Sequence, residues 1–404
     1  MNRIELLAPA GNFSKLKTAI RFGADAVYAG GKNFSLRALS DNFTEEELAE
    51  GVVYAHKHGV KFYVTVNIFP RNADMEEAAR YFRLLQNIGV DAVLITDPGF
   101  ISLCREVAPL LPIHLSTQAN TLNYRSVAFW RDEGVKRVVL ARELSIAEIA
   151  EISEKVPDMQ LEAFVHGAMC ISYSGRCLLS NYFNGRDSNR GECVQACRWH
   201  YELRERSKNG DFYPVEEDGR GTYILNSKDL NMIEHLPEME KAGIVSFKIE
   251  GRMKSEYYLA TVVNAYRRAI DAYHNNLENY RNNREFYDEL RKTNHRAFTT
   301  AYMLSDRSDT VNYEDSQSAG EKTFAAVVIR ETDENGIAVI EMRNRFRAGD
   351  QLEILSPKEN FNQSFTVKDL FDENGERVED AKLVQQKLAI ACPYRLYEGD
   401  ILRR

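Results

Sequence analysis

Along its first 250 residues the chain repeats one alternation: a short apolar run, then a stretch whose apolar residues fall three and four apart. The runs are Ile4–Gly11, Ala24–Gly30, Val60–Asn67, Ala92–Asp97, Ile113–Gln118, Val135–Ala141 and Met159–Gly167. Their length and near-continuous hydrophobicity predict strands buried on both faces, and the intervening periodicity predicts helices. Asn12 and Ser14 offer caps for a helix ending at Arg21, and a Glu-rich helix is expected from Thr44 to His58. Seven strand–helix units in 167 residues predict a parallel barrel, with Val245–Glu250 as the eighth strand. Tyr223–Asn226 is a ninth candidate, assigned to an insertion or its rim. No Gly-x-Gly-x-x-Gly turn argues for a doubly wound open sheet, so the closed form is expected.

After this region the period changes. Lys254–Tyr273 and Asn283–Thr293 read as helices, followed by a polar link from Tyr313 to Gly320. From Lys322 onward strict alternation appears in Thr323–Ile329, Gly336–Met342, Asp350–Leu355, Gln363–Val367 and Leu388–Cys392, with turn residues at Asp333–Gly336 and Asp372–Gly375. The expected fold class is therefore α/β: a TIM-like (β/α)8 barrel over residues 1–320, with a Cys-rich insertion (168–222) after strand seven, and a small antiparallel β-barrel over residues 321–404. Asn344–Asp350 resembles the barrel of the second domain of translation elongation factors, which suggests RNA contact. The 13 basic and 16 acidic residues of 321–404 lend that no electrostatic support.

Composition narrows the function classes. The chain has 404 residues, 44% hydrophobic, with a formal net charge of -8, which argues against broad nonspecific nucleic-acid binding and leaves room for a local patch. Charges interrupt its apolar runs before the ~20 residues a membrane helix needs. Without a secretory leader ahead of the first strand, a soluble cytoplasmic protein with no membrane partner is expected.

Four of six cysteines crowd into the insertion: Cys170, Cys177, Cys193 and Cys197. Thiols so close can hold zinc, carry an iron–sulfur cluster, or pair as two disulfides, and a reducing compartment favours metal. One short pair and one wide pair depart from the two tight knuckles of a structural zinc site, which leans toward a cluster. Between Cys170 and Lys208 seven basic residues face four acidic ones, a local +3 in an acidic protein. Ordinary solvated arginines would give the same count. Cys104 and Cys392 lie apart and read as small buried hydrophobes.

The pattern Glu162, Phe164, Gly167, Met169, Cys170, Ser174, Gly175, Cys177, Ser180 resembles the defining motif of peptidase family U32, the collagenase-like proteins. Segments Leu6–Gly11, Ala24–Gly30, Gly185–Cys193, Asn226–Leu230 and Phe247–Arg252 are similar to the same family, so the resemblance covers nearly the whole chain. It implies an oxygen-independent hydroxylase carrying a 4Fe–4S cluster on Cys170, Cys177, Cys193 and Cys197. Its length implies the branch that acts on tRNA, using prephenate as hydroxyl donor to make 5-hydroxyuridine at the wobble position. Partners on this reading are tRNA, prephenate and an electron-transfer or second U32 protein.

By the same resemblance Glu162 and His166, beside the first ligand, are the catalytic candidates, with a purely orienting role for Glu162 as the bland reading. Arg142, Arg176 and Arg252 are candidates for the donor's carboxylates, because guanidinium groups bind carboxylates with two parallel hydrogen bonds. Surface ion pairing is the ordinary alternative for each. Ribosomal RNA or a quinone precursor are the alternative substrates. Proteolysis is the other alternative; neither His-Glu-x-x-His nor Gly-x-Ser-x-Gly occurs in the chain, although His166 lies four residues from Cys170.

Overall fold

The computed structural model describes residues 4–36, 41–170, 172–198, 217–218, 221–222, 227–304 and 318–404. The expected strand Tyr223–Asn226, most of the insertion beyond Arg198 and most of the polar link lie outside them. Two compact units are present: Met1–Leu16 with Ala24–Met253 and His295–Ser318, and Lys17–Gly23 with Lys254–Asn294 and Ala319–Arg404.

In the first unit the apolar runs become parallel strands β1 (Glu5–Ala10), β2 (Ala26–Gly30), β3 (Lys61–Val66), β4 (Ala92–Ile95), β5 (Ile113–Leu115), β6 (Arg137–Val139) and β7 (Gln160–Ala168). The eighth strand, Ile244–Ile249, pairs with β1 on one side and β7 on the other, with Phe247 opposite both Leu6 and Ala163. That double pairing closes the barrel, as the strand count predicts. Local chemistry fixes where its helices begin. Thr44 and Glu47 form a capping box on Glu45–Lys57, Ser145 and Glu148 another on Ile146–Lys155, and Asp97 caps the helix Pro98–Val107 by accepting from the Phe100 amide at 3.0 Å.

β7 is longer than its neighbours. Its last residues leave the parallel barrel and pair antiparallel with Asp229–Asn231, so that His166 sits opposite Asn231. A register shift between Lys248 and Ile249 accommodates the change.

The second unit contains the helix Glu256–Asn275 and an eight-stranded antiparallel sheet. Each strand expected from the alternation is present, packed around Ile340, Phe346, Leu352, Ile354 and Leu402. Short strands Leu370–Phe371 and Arg377–Val378 and the terminal strand Ile401–Arg403 join them, and the hydrogen-bonded order stays open, giving a half-barrel. Cys104 and Cys392 are buried in their respective units, and burial pushes their thiols up to about 12 and about 11.

Candidate active site at the carboxyl mouth of the barrel

A cavity of about 230 Å³ opens at the carboxyl ends of the strands, where barrel enzymes keep their chemistry. Its wall includes residues from the strand ends: Tyr28, Asn67, Gln118, Arg142, Glu143, Glu250 and Arg252. Position at a strand end therefore carried real information, although Asp97, another such residue, serves as a helix cap.

Cys170, Cys177, Cys193 and Cys197 all border this one cavity, and each lies outside any disulfide. The loop that carries them is built locally. Ser188 Oγ and Asn189 Nδ2 donate to the Cys177 carbonyl at 2.5 and 3.1 Å, while Asn189 Oδ1 accepts from the Cys177 amide at 3.3 Å. Arg190 pins the loop to the barrel through a bidentate pair with Asp74, at 2.8 and 3.1 Å, and holds that carboxyl below its usual range.

Two sulfurs already receive amide hydrogens, from Leu179 to Cys177 and from Gln195 to Cys193, both at 3.4 Å. Gln195 adopts φ 58°, left-handed backbone that non-glycine residues rarely take. Among the described residues no three His, Cys, Asp or Glu side chains stand close enough to hold a metal ion as placed. The donor set is nevertheless of the kind an iron–sulfur cluster uses: four cysteines outside any disulfide line one cavity, two of them with backbone amide donors of the kind that tune cluster sulfurs.

The cavity also gathers cations. Arg252 donates through Nη1 to Ser35 and Thr65 at 2.7 and 2.8 Å. Gly30 makes this possible, because a β-carbon there would lie 2.3 Å from the same nitrogen. Arg142 donates to the Ala168 carbonyl at 2.8 Å and lies 3.9 Å above the Phe164 ring. Arg176, the third arginine expected here, is exposed; it bonds the Gln118 carbonyl at 2.8 Å and stacks toward Phe69, and it does not border the cavity. Lys248 does. Three cations, Arg142, Lys248 and Arg252, thus share the wall with two carboxylates, Glu143 and Glu250.

Glu162 and His166 lie on the strand where the sequence puts them, and both are buried away from the cavity wall. His166 packs with its ring 5.7 Å from that of Phe298. Glu162, fully buried, accepts from Lys248 at 2.8 Å and from Arg137 at 3.1 Å. Arg137 continues to Glu5 at 2.5 Å, and Glu5 also accepts from Tyr63 and Ser246, each at 2.9 Å. Burial works against the charge on both carboxylates, but Lys248 and Arg137 outweigh it at Glu162, and Arg137 with Lys61 outweighs it at Glu5, so both carboxyls are held below their usual range.

Sequence reasoning missed this network, although its signal was present. Glu5, Arg137, Glu162 and Lys248 are ionisable residues set inside apolar strands, where alternation turns them toward the barrel interior.

The model of peptidase family U32 matches residues 11–313, and that of the peptidase family U32 C-terminal domain matches 321–403. The chain is 44% identical to tRNA hydroxylation protein P1 of Bacillus subtilis, over 99% of this chain and 94% of that one. It is 33% identical to the 23S rRNA 5-hydroxycytidine C2501 synthase of Escherichia coli, over 89% of this chain and 53% of that protein. A collagenase of Porphyromonas gingivalis is 30% identical, over 88% and 87% of the two chains. With one family model spanning three quarters of its length and a second covering most of the rest, the chain belongs to peptidase family U32.

Proposed function

We propose that the protein is an RNA-modifying hydroxylase that converts the wobble uridine of tRNA to 5-hydroxyuridine, with prephenate as hydroxyl donor and a 4Fe–4S cluster on Cys170, Cys177, Cys193 and Cys197. The observation that carries this reading is the convergence of four thiols and three cations on one cavity, in a chain whose relatives include a tRNA hydroxylation protein along nearly its full length. When bound, the cluster would supply one-electron chemistry that protein side chains lack. Arg142 and Arg252 would bind the donor's carboxylates, and the apolar wall of Leu36, Leu94 and Val139 would exclude water. Cytoplasmic location follows from a tRNA substrate, and no helix among the described residues is long and apolar enough to cross a membrane.

A thiol-protease reading finds less support, because four grouped cysteines suit a ligand set and His166 is packed on Phe298. Anaerobic purification followed by iron and acid-labile sulfide analysis, together with nucleoside profiling of tRNA from a deletion strain, tests the proposal. Cluster-level iron and sulfide with loss of 5-hydroxyuridine nucleosides is expected, and Cys→Ser at any of the four positions reproduces that loss. Zinc without sulfide, or an unchanged tRNA profile, would overturn it. A change confined to ribosomal RNA would move the substrate toward that of the Escherichia coli relative.

A further inference from the structure

The barrel interior poses a question of its own. Branched apolar side chains normally fill such interiors, and a buried ion pair seldom stabilises a fold more than apolar residues of the same volume would. Here four ions, Glu5, Arg137, Glu162 and Lys248, run through the core in hydrogen-bonded order. Of the four, Lys248 alone borders the cavity. Its ammonium lies 4.5 Å from the Tyr28 ring centroid and 5.5 Å from that of Phe164, the same ring that carries Arg142 at 3.9 Å. One aromatic side chain therefore holds two cations at the cavity floor.

We propose that Lys248 anchors the small-molecule substrate: held on Glu162 at the floor, its ammonium takes a carboxylate of an organic acid that Arg142 and Arg252 engage from the wall. Glu162 is then a positioning residue, acting on the substrate through Lys248. The alternative of Lys248 as an amine nucleophile fits poorly, since an ammonium hydrogen-bonded to a carboxylate at 2.8 Å is equipped for binding anions. The floor ammonium also completes a third cationic contact that Arg176, outside the cavity, does not supply.

This inference rests on the reading that the cavity takes an organic-acid donor, and the two are separable by experiment. Calorimetric titration of anaerobically purified holoprotein with prephenate reports the inference, and tRNA nucleoside profiling reports the function. Lys248→Met is expected to weaken prephenate binding roughly 10- to 100-fold, the worth of one charge-assisted hydrogen bond, with iron, sulfide and tRNA affinity unchanged. Lys248→Arg, which keeps the charge and the pairing to Glu162, should recover part of the loss. Glu162→Gln should raise the KM for prephenate more than it lowers kcat. Prephenate binding by Lys248→Met equal to wild type would overturn the inference, as would wild-type protein that binds no prephenate. Should Lys248→Met not fold, wild-type affinity in neither Lys248→Arg nor Glu162→Gln is expected, and its presence in both would overturn it equally. Wild-type protein that binds prephenate yet hydroxylates no RNA would defeat the proposed function and leave the role of Lys248 standing.

Discussion

Two buried ionic clusters, one in each unit, use the same ingredients. In the barrel they are Glu5, Glu162, Arg137 and Lys248; in the second unit they are Glu289, Glu353, Lys292 and Arg403. Each has two carboxylates and two buried cations, with a more exposed lysine at its edge: Lys61 on Glu5 at 3.3 Å and Lys322 on Glu353 at 3.9 Å. The second cluster closes on itself: Arg403, with no exposed surface, grips Glu289 bidentately at 2.6 and 2.9 Å and also donates to Glu353 and Asn362. Lys292 completes the set with Glu289 and Glu353 at 2.9 and 2.8 Å. The barrel cluster instead ends on a side chain that borders a cavity. Where every donor is spent inside, the ions specify packing; where the last one borders a cavity, they can serve a ligand.

The contrast can be broken most severely at Arg403. Arg403→Met leaves Glu289 with only Lys292 as a partner, and a loss on the order of 3–5 kcal/mol is expected in urea unfolding. Lys248→Met in the same assay should cost less, about 1–3 kcal/mol, because it removes one hydrogen bond to Glu162, where Arg403→Met removes those to Glu289, Glu353 and Asn362 together. Equal losses at the two sites would erase the distinction between them.

A sharper probe of the cavity side is Gly30→Ala. The new methyl would meet Arg252 Nη1 at 2.3 Å and Ser35 Oγ at 2.6 Å, so Arg252 must move. A destabilisation of about 1–3 kcal/mol and a raised KM for prephenate are expected, the latter read by steady-state kinetics. An unchanged KM would remove Arg252 from substrate binding.

The smallest effect is a slope. His114 is buried in the barrel beside Tyr63, and burial, with Arg137 adding to it, holds its imidazole well below its ordinary value of 6.5. The folded protein therefore keeps it neutral while the unfolded chain takes up a proton below about pH 6.5. Its contribution is fully present above that pH and is lost as the pH falls, at roughly 1 kcal/mol per unit. Glu5 and Glu162, held below 4.5, share that sign but begin to act only under more acidic conditions. His114→Phe should flatten the dependence of the urea midpoint between pH 6.5 and 5 while leaving the steeper fall below 4.5. A wild-type midpoint constant over that upper interval would refute the assignment.

Much was legible in the chain before its structure. Hydrophobic alternation determined eight barrel strands and most of the half-barrel, because a strand buried on both faces and one buried on a single face leave different periods in the sequence. Cysteine spacing identified the loop that reaches the cavity, and the strand-end rule found Arg142 and Arg252. What only the tertiary structure decided was which side chains meet. Arg176 lies one residue from a cysteine of the cavity wall and points elsewhere, because its turn directs it to Gln118 and Phe69. Glu5, Arg137, Glu162 and Lys248 are spread over 244 positions and four strands, yet they touch. Periodicity is a local property of the backbone and can be read one segment at a time. Contact between inward-facing charges depends on closure of the barrel, which sets the register of every strand at once.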